Sequence, residues 1–500
     1  MKERITVRIE DITDRGMGVG RMEDGMAVFV SGALPGDLVR CEVVKKKKRF
    51  ANARTVEVLE ESAERTDGFC AQSLSCGGCP YEKITYDAQL RIKRQHVIDA
   101  LTRLGGVEDP LVRPAVGMEE PYRYRNKAVT SISTGGIITK KGGIVVPVAE
   151  PAVGFYRARS HETVDCPVCL LQTEAAEAAA EALRQFMVED HITGYDPKWE
   201  RGLMRHMIVR TAMGTGEVMV IFVINGRGIP HAEKLVEMLA AAIEEIGQFE
   251  DGTPWYSLES VILNTNTAKE GGLYGDRTVV LAGKPTITEC IRDMEFEVSP
   301  LSFYQVNPVQ MEPLYDIAAQ YADLQGGESV LDLYCGAGTI GLWMLNDLRN
   351  RDPEAFQSVQ VIGIESVKDA VLDANRNAVL NRIVRARYVC GKAENVLPAL
   401  MGDPEADAAI PEDLAVTGCD VAVLDPPRAG CEETLLSAVC DAEPSRIVYV
   451  SCNLATLARD VKYLMGRGYA FIEATPVDLF PHAGHVECCS LLVKTSDSEV

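Results

Sequence analysis

From residue 291 onward, short apolar strands alternate with helix-forming stretches: SVLDLYC, a helix from TIGLWML, VIGIE, a helix through DAVLDANRNAV, VAVLDPP, RIVYVSC and finally ECCSLLVK. Nothing else in the chain constrains its fold so tightly. Strands that alternate with helices are covered on both faces and build a mostly parallel, doubly wound sheet. Such sheets take ligands at the carboxyl ends of their strands. The residues that close each strand are therefore the first candidates for chemistry.

The first of these strands runs into Gly336, Gly338 and Gly341, a pattern that lets backbone approach a ligand at a helix start. Glu365 closes the second strand, where a carboxylate can take both hydroxyls of a ribose. Together they predict an adenosine-containing cofactor, although the spacing suits a dinucleotide equally well and glycines can serve a tight turn alone. Asp425, Pro426, Pro427 and Arg428 close a third strand, and Ser451, Cys452 and Asn453 a fourth. An activated thiolate at that edge would meet a substrate lying beside the cofactor. A buried structural thiol is the alternative for Cys452, and a surface carboxylate for Glu487.

The rest of the sequence is organised differently. Residues 1–60 read as brief strands broken by glycine, such as ITVRIEDI, DRGMGVGRMEDG and MAVFV, and predict a small barrel. Residues 61–290 mix a cysteine group, Gly-rich strands such as GGIITKKGGIVVPV, the helical run TEAAEAAAEALRQFMVE and the strand GEVMVIFVING, an α+β middle domain. The helical run DAQLRIKRQHVIDALTRLGG is a candidate for packing on the last domain. A chain of 500 residues with 46% hydrophobic side chains is too long for one core. Three domains are expected, at 1–60, 61–290 and 291–500.

No stretch approaches the roughly 18 to 20 apolar residues of a membrane span, and the opening MKERITVRIE alternates charged and apolar residues. A cytoplasmic monomer without membrane contact is expected. The net charge of −22 opposes nucleic-acid binding, because phosphate binding rests on Lys and Arg displacing counterions. Local exceptions are the run Lys45, Lys46, Lys47, Lys48, Arg49 and the group Arg123, Arg125, Lys127 beside Tyr122 and Tyr124. A basic face can coexist with an acidic whole.

Fifteen cysteines in an unexported chain point to thiols used for metals or catalysis. Cys70, Cys76 and Cys79 in CAQSLSCGGCP have a C-x5-C-x2-C spacing that can fold around one metal centre. Cys166 in DCPVC is the best candidate for a fourth ligand, with Cys169 the spare, and zinc stays open on ligand type alone.

Gly16, Gly18, Gly20, the segment AVFVSGALPGD and the basic stretch after it resemble the TRAM domain, an OB-like barrel of RNA-modifying enzymes. Asp332 through Gly338 resembles the DxxxGxG-like motif of class I methyltransferases, which favours S-adenosylmethionine over NAD. The set DPPRAG, SCN and HVE, with SFYQVN at 302–307, resembles the RNA uracil-C5 methyltransferases. Cytosine-C5 enzymes carry a cysteine in the DPPR-equivalent stretch, and this chain has none there.

That resemblance implies a multi-domain enzyme with an N-terminal OB-like β-barrel, an α+β middle domain with an iron-sulfur cluster, and a C-terminal α/β Rossmann-like methyltransferase domain. Carried over by position, Gln305, Tyr334, Glu365 and Asp425 would hold the cofactor, with Asp425 also placed toward the uracil edge. Cys452 would attack carbon 6 of uridine, and Glu487 in HAGHVE would remove the proton from carbon 5. Lys392 stands where an Asp or Asn often meets the adenine amine, so that position is given no role. The thiol spacing matches members that carry a 4Fe-4S cluster, implying Cys70, Cys76, Cys79 and Cys166 as its ligands. Barrel and cluster together imply 23S rRNA as the substrate, with transfer RNA the alternative. His482 and His485 have an H-x-x-H spacing, but local hydrogen bonding is expected there and not a metal. A dinucleotide-dependent iron-sulfur oxidoreductase and an inactive RNA-binding assembly factor are the rivals from other classes.

Overall fold

The computed structural model describes residues 3–140, 143–148, 151–158, 160–269, 271–403, 410, 414 and 418–495. Five strands open the chain: β1 (Arg4–Ile12), β2 (Met17–Arg21), β3 (Ala27–Ser31), β4 (Leu38–Lys46) and β5 (Phe50–Glu60). They close into a barrel in the order β1-β2-β3-β5-β4, with β4 returning to β1. Alternation along each strand sends Val7, Ile9, Val28, Val30, Val39, Cys41 and Ala53 inside. Gly20 sits in a strand because the barrel is narrow there: a Cβ would lie 2.4 Å from the Val7 side chain and 2.6 Å from the Arg8 carbonyl.

A nine-stranded sheet follows. It comprises β6 (Lys127–Ser133), β7 (Gly136–Lys140), β8 (Ile144–Val148), β9 (Ala152–Tyr156), β10 (Thr163–Asp165), β11 (Met204–Thr211), β12 (Glu217–Ile224), β13 (Ser257–Thr265) and β14 (Arg277–Gly283), in the order β14-β13-β12-β11-β6-β9-β10-β7-β8. Helices Glu174–Glu189 and Ala232–Glu244 lay Ala179, Leu183, Phe186, Leu235 and Leu239 on one face of it, against Val218, Val220 and Phe222. From the other face Met219, Ile221 and Val223 join the core of the hairpin β15 (Ile287–Ile291) and β16 (Met294–Val298) and of the C-terminal sheet.

That last sheet holds β17 (Ser329–Leu333), β18 (Gln360–Glu365), β19 (Ala386–Cys390), β20 (Val421–Leu424), β21 (Arg446–Ser451), β22 (Tyr469–Val477) and β23 (Glu487–Lys494), ordered β19-β18-β17-β20-β21-β23-β22. The five strands β17 to β21 run parallel, and β23 runs antiparallel to both its neighbours. The strand order reverses between β17 and β20, which opens the crevice where such sheets bind ligands. Pro476 lies in β22, the edge strand of the sheet, where a missing N–H is tolerated.

Helix Tyr86–Ala100 continues into a π-helical turn, Leu101–Gly105, and both pack on the C-terminal sheet. Val97, Leu101, Val107 and Val112 share a core with Leu457, Val461 and Leu464 of helix Leu454–Met465. Among the described residues no helix is long and apolar enough to cross a membrane.

Candidate active site

Strands β21 and β23 pair through Ser451↔Cys488. Cys452 follows Ser451 and Glu487 precedes Cys488, so the two residues flank the end of this ladder, and the Glu487 charge reaches the Cys452 thiol. Cys452 precedes Asn453, whose side chain caps helix Leu454–Met465 by accepting from the Ala455 amide at 3.1 Å. The Asn453 side-chain amide also donates to the Arg428 carbonyl at 2.8 Å, tying this turn to the loop after β20. The thiol therefore stands at a helix start, where the dipole favours a thiolate.

Burial dominates the electrostatics of the pair. It pushes the half-buried Cys452 thiol up to about 11, the Glu487 and Asp425 carboxylates adding to the rise while Arg428 opposes it. Glu487 is 5% exposed, and burial, aided by Asp425, carries its carboxyl well above the usual range, again against Arg428. Desolvation alone raises Asp425 to about 7. One Glu487 carboxylate oxygen, Oε2, is buried without a hydrogen-bond partner. Arg428 is thus the cation that draws both the thiol and the carboxyl toward their charged forms.

A cavity of about 320 Å³ opens on Cys452. Its wall includes Arg428, Asn453 and His485, together with Asp14 from the barrel and His96 from helix Tyr86–Ala100. Sequence reasoning named neither Asp14 nor His96; only their position after the chain folds signals them. The barrel touches this wall closely, since a Cβ on Gly484 would lie 2.2 Å from the Asp14 carbonyl.

The loop between β22 and β23 is held from several sides. Lys93 donates to the Asp478 carboxylate at 2.6 Å and to the Phe480 carbonyl at 3.0 Å, and neither side chain of this ion pair is exposed. Tyr86 donates to Asp478 at 3.0 Å and Tyr124 to the Pro481 carbonyl at 3.0 Å. His482 stacks on Tyr122 at 5.1 Å and meets Gln89 through its Nδ1 at 3.2 Å. Its Nε2 is buried without a hydrogen-bond partner, and the His485 ring meets Phe480 edge-on at 6.4 Å.

The expected cofactor residues surround the β17 loop. Tyr334, Gly336 and Gly338 adopt left-handed φ values of 63°, 54° and 76°. Glycine is required at 338, where a Cβ would lie 2.4 Å from the Tyr388 hydroxyl. The Glu365 carboxylate accepts the Gly336 amide at 3.2 Å and the Val367 amide at 2.8 Å. Asp332 is buried, and burial lifts it to about 7 although the Gly341 amide donates to it at 3.1 Å. Its other oxygen has no partner. Buried Gln305 accepts the Asn126 side-chain amide on its carbonyl at 2.9 Å, and its side chain bonds Tyr315, which feels the Asp425 charge.

Cys70, Cys76, Cys79, Cys166 and Cys169, each partly exposed, lie near enough to feel one another's charge. Burial is the largest influence raising the first three, and the charge of Cys169 adds to each. Cys166 bonds Cys169, which holds Cys166 up and draws Cys169 down to about 6. The donor set has the soft, all-sulfur chemistry of an iron-sulfur centre. Yet among the described residues no three Cys, His, Asp or Glu side chains close into a group that could hold a metal ion. The four thiols expected as ligands do not form a closed ligand set, and the Cys166 thiol meets Cys169 and, at 3.2 Å, the Val168 carbonyl.

Residues 285–495 match the family model for tRNA (uracil-5-)-methyltransferase, and residues 2–56 match the TRAM domain. The chain is 38% identical over 490 residues to an uncharacterized RNA methyltransferase of Halalkalibacterium halodurans, covering 98% of this chain and 96% of that one. It is 39% identical over 490 residues to another from Caldanaerobacter subterraneus subsp. tengcongensis, covering 98% of each. Among solved structures it is similar to the Pyrococcus abyssi tRNA (uracil-54, C5)-methyltransferase in complex with S-adenosyl-L-homocysteine. That likeness has a TM-score of 0.70 and 26% identity, and covers 98% of this chain and 100% of the other.

Proposed function

Since this chain belongs to the uracil-5 RNA methyltransferase family, we propose that it methylates carbon 5 of a uridine in 23S rRNA through a covalent Cys452 adduct. The observation that carries the reading is the half-buried Cys452 thiol opening on a cavity, with the buried Glu487 carboxyl close enough for its charge to raise that thiol. A family assignment to RNA methyltransferases leaves the dinucleotide-dependent oxidoreductase without support.

S-adenosylmethionine supplies an electrophilic methyl group. Gln305, Tyr334, Glu365 and Asp425 would hold it, a fit supported by the left-handed Tyr334 loop and the partnerless Asp332 oxygen beside it. Carbon 5 of uracil is too weak a nucleophile by itself. Addition of the Cys452 thiolate to carbon 6 turns the ring into an enolate whose carbon 5 is nucleophilic, which divides one hard step into easier ones. Arg428 assists by favouring the thiolate. Once carbon 5 carries the methyl group, Glu487 takes its proton and the Cys452–carbon 6 bond breaks. The uridine enters unstacked, since carbon 6 is out of reach inside a helix. Asp14 and His96 then bring barrel and middle segment to the pocket wall.

A 4Fe-4S cluster on Cys70, Cys76, Cys79 and Cys166 belongs to the same reading, as a structural element that takes no part in methyl transfer. Its segment braces the Glu487 loop: the Tyr81 amide donates to the His482 carbonyl at 3.0 Å, and Phe69 packs on the His482 ring at 4.7 Å. Transfer RNA is the second reading of the substrate, favoured by the likeness to the Pyrococcus abyssi enzyme. The test is a denaturing gel of protein with S-adenosylmethionine and 5-fluorouridine-substituted RNA. A shifted band on 23S rRNA that Cys452→Ala abolishes is expected. A shift on transfer RNA alone would move the substrate, and no shift on either would overturn the covalent chemistry.

A further inference from the structure

A second cavity, of about 540 Å³, lies at the far end of β6. Tyr156, His161, Tyr195, Arg205, His206 and Lys269 line it. Tyr156 is 41% exposed, and both His161 and His206 meet its ring edge-on, at 5.3 Å and 6.1 Å. Arg205 lies over the Tyr195 ring at 4.4 Å and is fixed by donating to the Asn266 and Ala268 carbonyls at 2.7 and 2.8 Å. The exposed Lys269 pairs with Glu200 at 2.8 Å. Trp199, 65% exposed, lines an adjoining depression with Asp196 and Arg201.

Rigid aromatic faces beside fixed cations are what a sequence-tolerant single strand requires, each base having a face to stack and each phosphate a charge to neutralise. His206 adds a polar contact: burial, then Arg205, lowers its pKa to about 4, so the ring is neutral near pH 7, and its Nδ1 has no partner. Strand β6 joins this cavity to the expected cofactor residue Gln305. β6 starts beside Asn126, which holds the Gln305 carbonyl, and ends at Ser133 in this cavity, roughly 20 Å away at about 3.3 Å per residue.

We propose that this cavity is a second RNA subsite, which takes an unstacked nucleotide of the substrate strand with its base on Tyr156 and its phosphate at Lys269. The proposal rests on the reading of the substrate as RNA. The test is fluorescence anisotropy of labelled 20-mers of adenosine and of uridine on the full chain, with Tyr156→Ala, Tyr156→Phe and Lys269→Ala. Tyr156→Ala is expected to weaken binding about tenfold, since base stacking contributes ~1–3 kcal/mol, and Tyr156→Phe to restore it. Lys269→Ala is expected to reduce the salt slope by about 0.7. In the gel assay at saturating RNA, both alanine variants still form the Cys452 adduct. Wild-type affinity in both alanine variants would overturn the subsite while the adduct still reports the catalytic reading. Absence of both oligonucleotide binding and adduct in the wild type would overturn the RNA reading and the subsite with it.

Discussion

Cys452 follows and Glu487 precedes the last paired residues of the β21–β23 ladder, Ser451↔Cys488, and the Glu487 charge reaches the Cys452 thiol. The end of β21, the start of β23 and the Asn453 helix cap therefore set the spacing of thiol and carboxyl. The proposed two-step covalent reaction needs rigid placement of this kind, because the same ring would have to meet the nucleophile and then the base.

Glu487→Gln keeps the shape of the pair and removes its base. The adduct should still form on ordinary uridine RNA but fail to resolve, so a denaturing gel shows a stable protein–RNA band. Turnover should fall by roughly 10²–10⁴, the usual contribution of a positioned base. A variant that turns over normally would exclude Glu487 as the proton acceptor.

Arg428→Gln removes the cation that opposes the rise of Cys452 to about 11. Without it the thiolate fraction near pH 8 falls. Alkylation of Cys452 by iodoacetamide, followed by mass spectrometry, should slow several-fold and its pH profile should move to higher pH. An unchanged profile would mean that the guanidinium does not reach the thiol.

Asp332→Asn tests the cost of a carboxyl lifted from 3.8 to about 7. The folded protein holds that proton where the unfolded chain has lost it, so wild-type stability falls as pH rises from about 4 to 7 and is level above. The variant escapes this loss. Its thermal midpoint should exceed that of the wild type by more at pH 8 than at pH 5.5, while S-adenosylmethionine binding weakens. An equal gain at both pH values would refute the shift.

Lys93→Met leaves Asp478 buried and unpaired, which costs about 3–5 kcal/mol. Urea denaturation should show the loss, and Lys93→Met with Asp478→Leu should recover much of it. In the single variant the loop carrying His482 is released, so methyl transfer should fall further than S-adenosylmethionine affinity. Parallel losses would indicate general unfolding.

Cys166→Ser should abolish iron binding by protein reconstituted without oxygen, and Cys169→Ser should retain it. Iron and sulfide analysis reads both. The reverse result would assign the fourth position to Cys169, whose charge reaches Cys70, Cys76 and Cys79.

Much of the fold is legible in the chain because its signals are local. Alternating strands and helices after residue 291 dictate the C-terminal sheet, and the glycine-broken strands of the first 60 residues dictate a barrel. The motifs containing Cys452, Asp425 and Glu487 each mark the end or start of a strand, so their neighbourhood follows once the sheet is assumed. Edge strand β22 is harder to read, since Pro476 and Glu473 interrupt its pattern.

What the sequence determined by itself was the set of strand-end residues and the chemistry they can carry, because both depend on residue type and short spacing. Only the tertiary structure decided that Asp14 from the barrel and His96 from a distant helix share a wall with Cys452, and that Lys93 neutralises Asp478 from 385 positions away. It also decided that Tyr156, Arg205 and Lys269 line one cavity. These contacts join segments with no common period, and they form because separate cores pack together and leave buried charges and aromatic faces to find partners across the boundary.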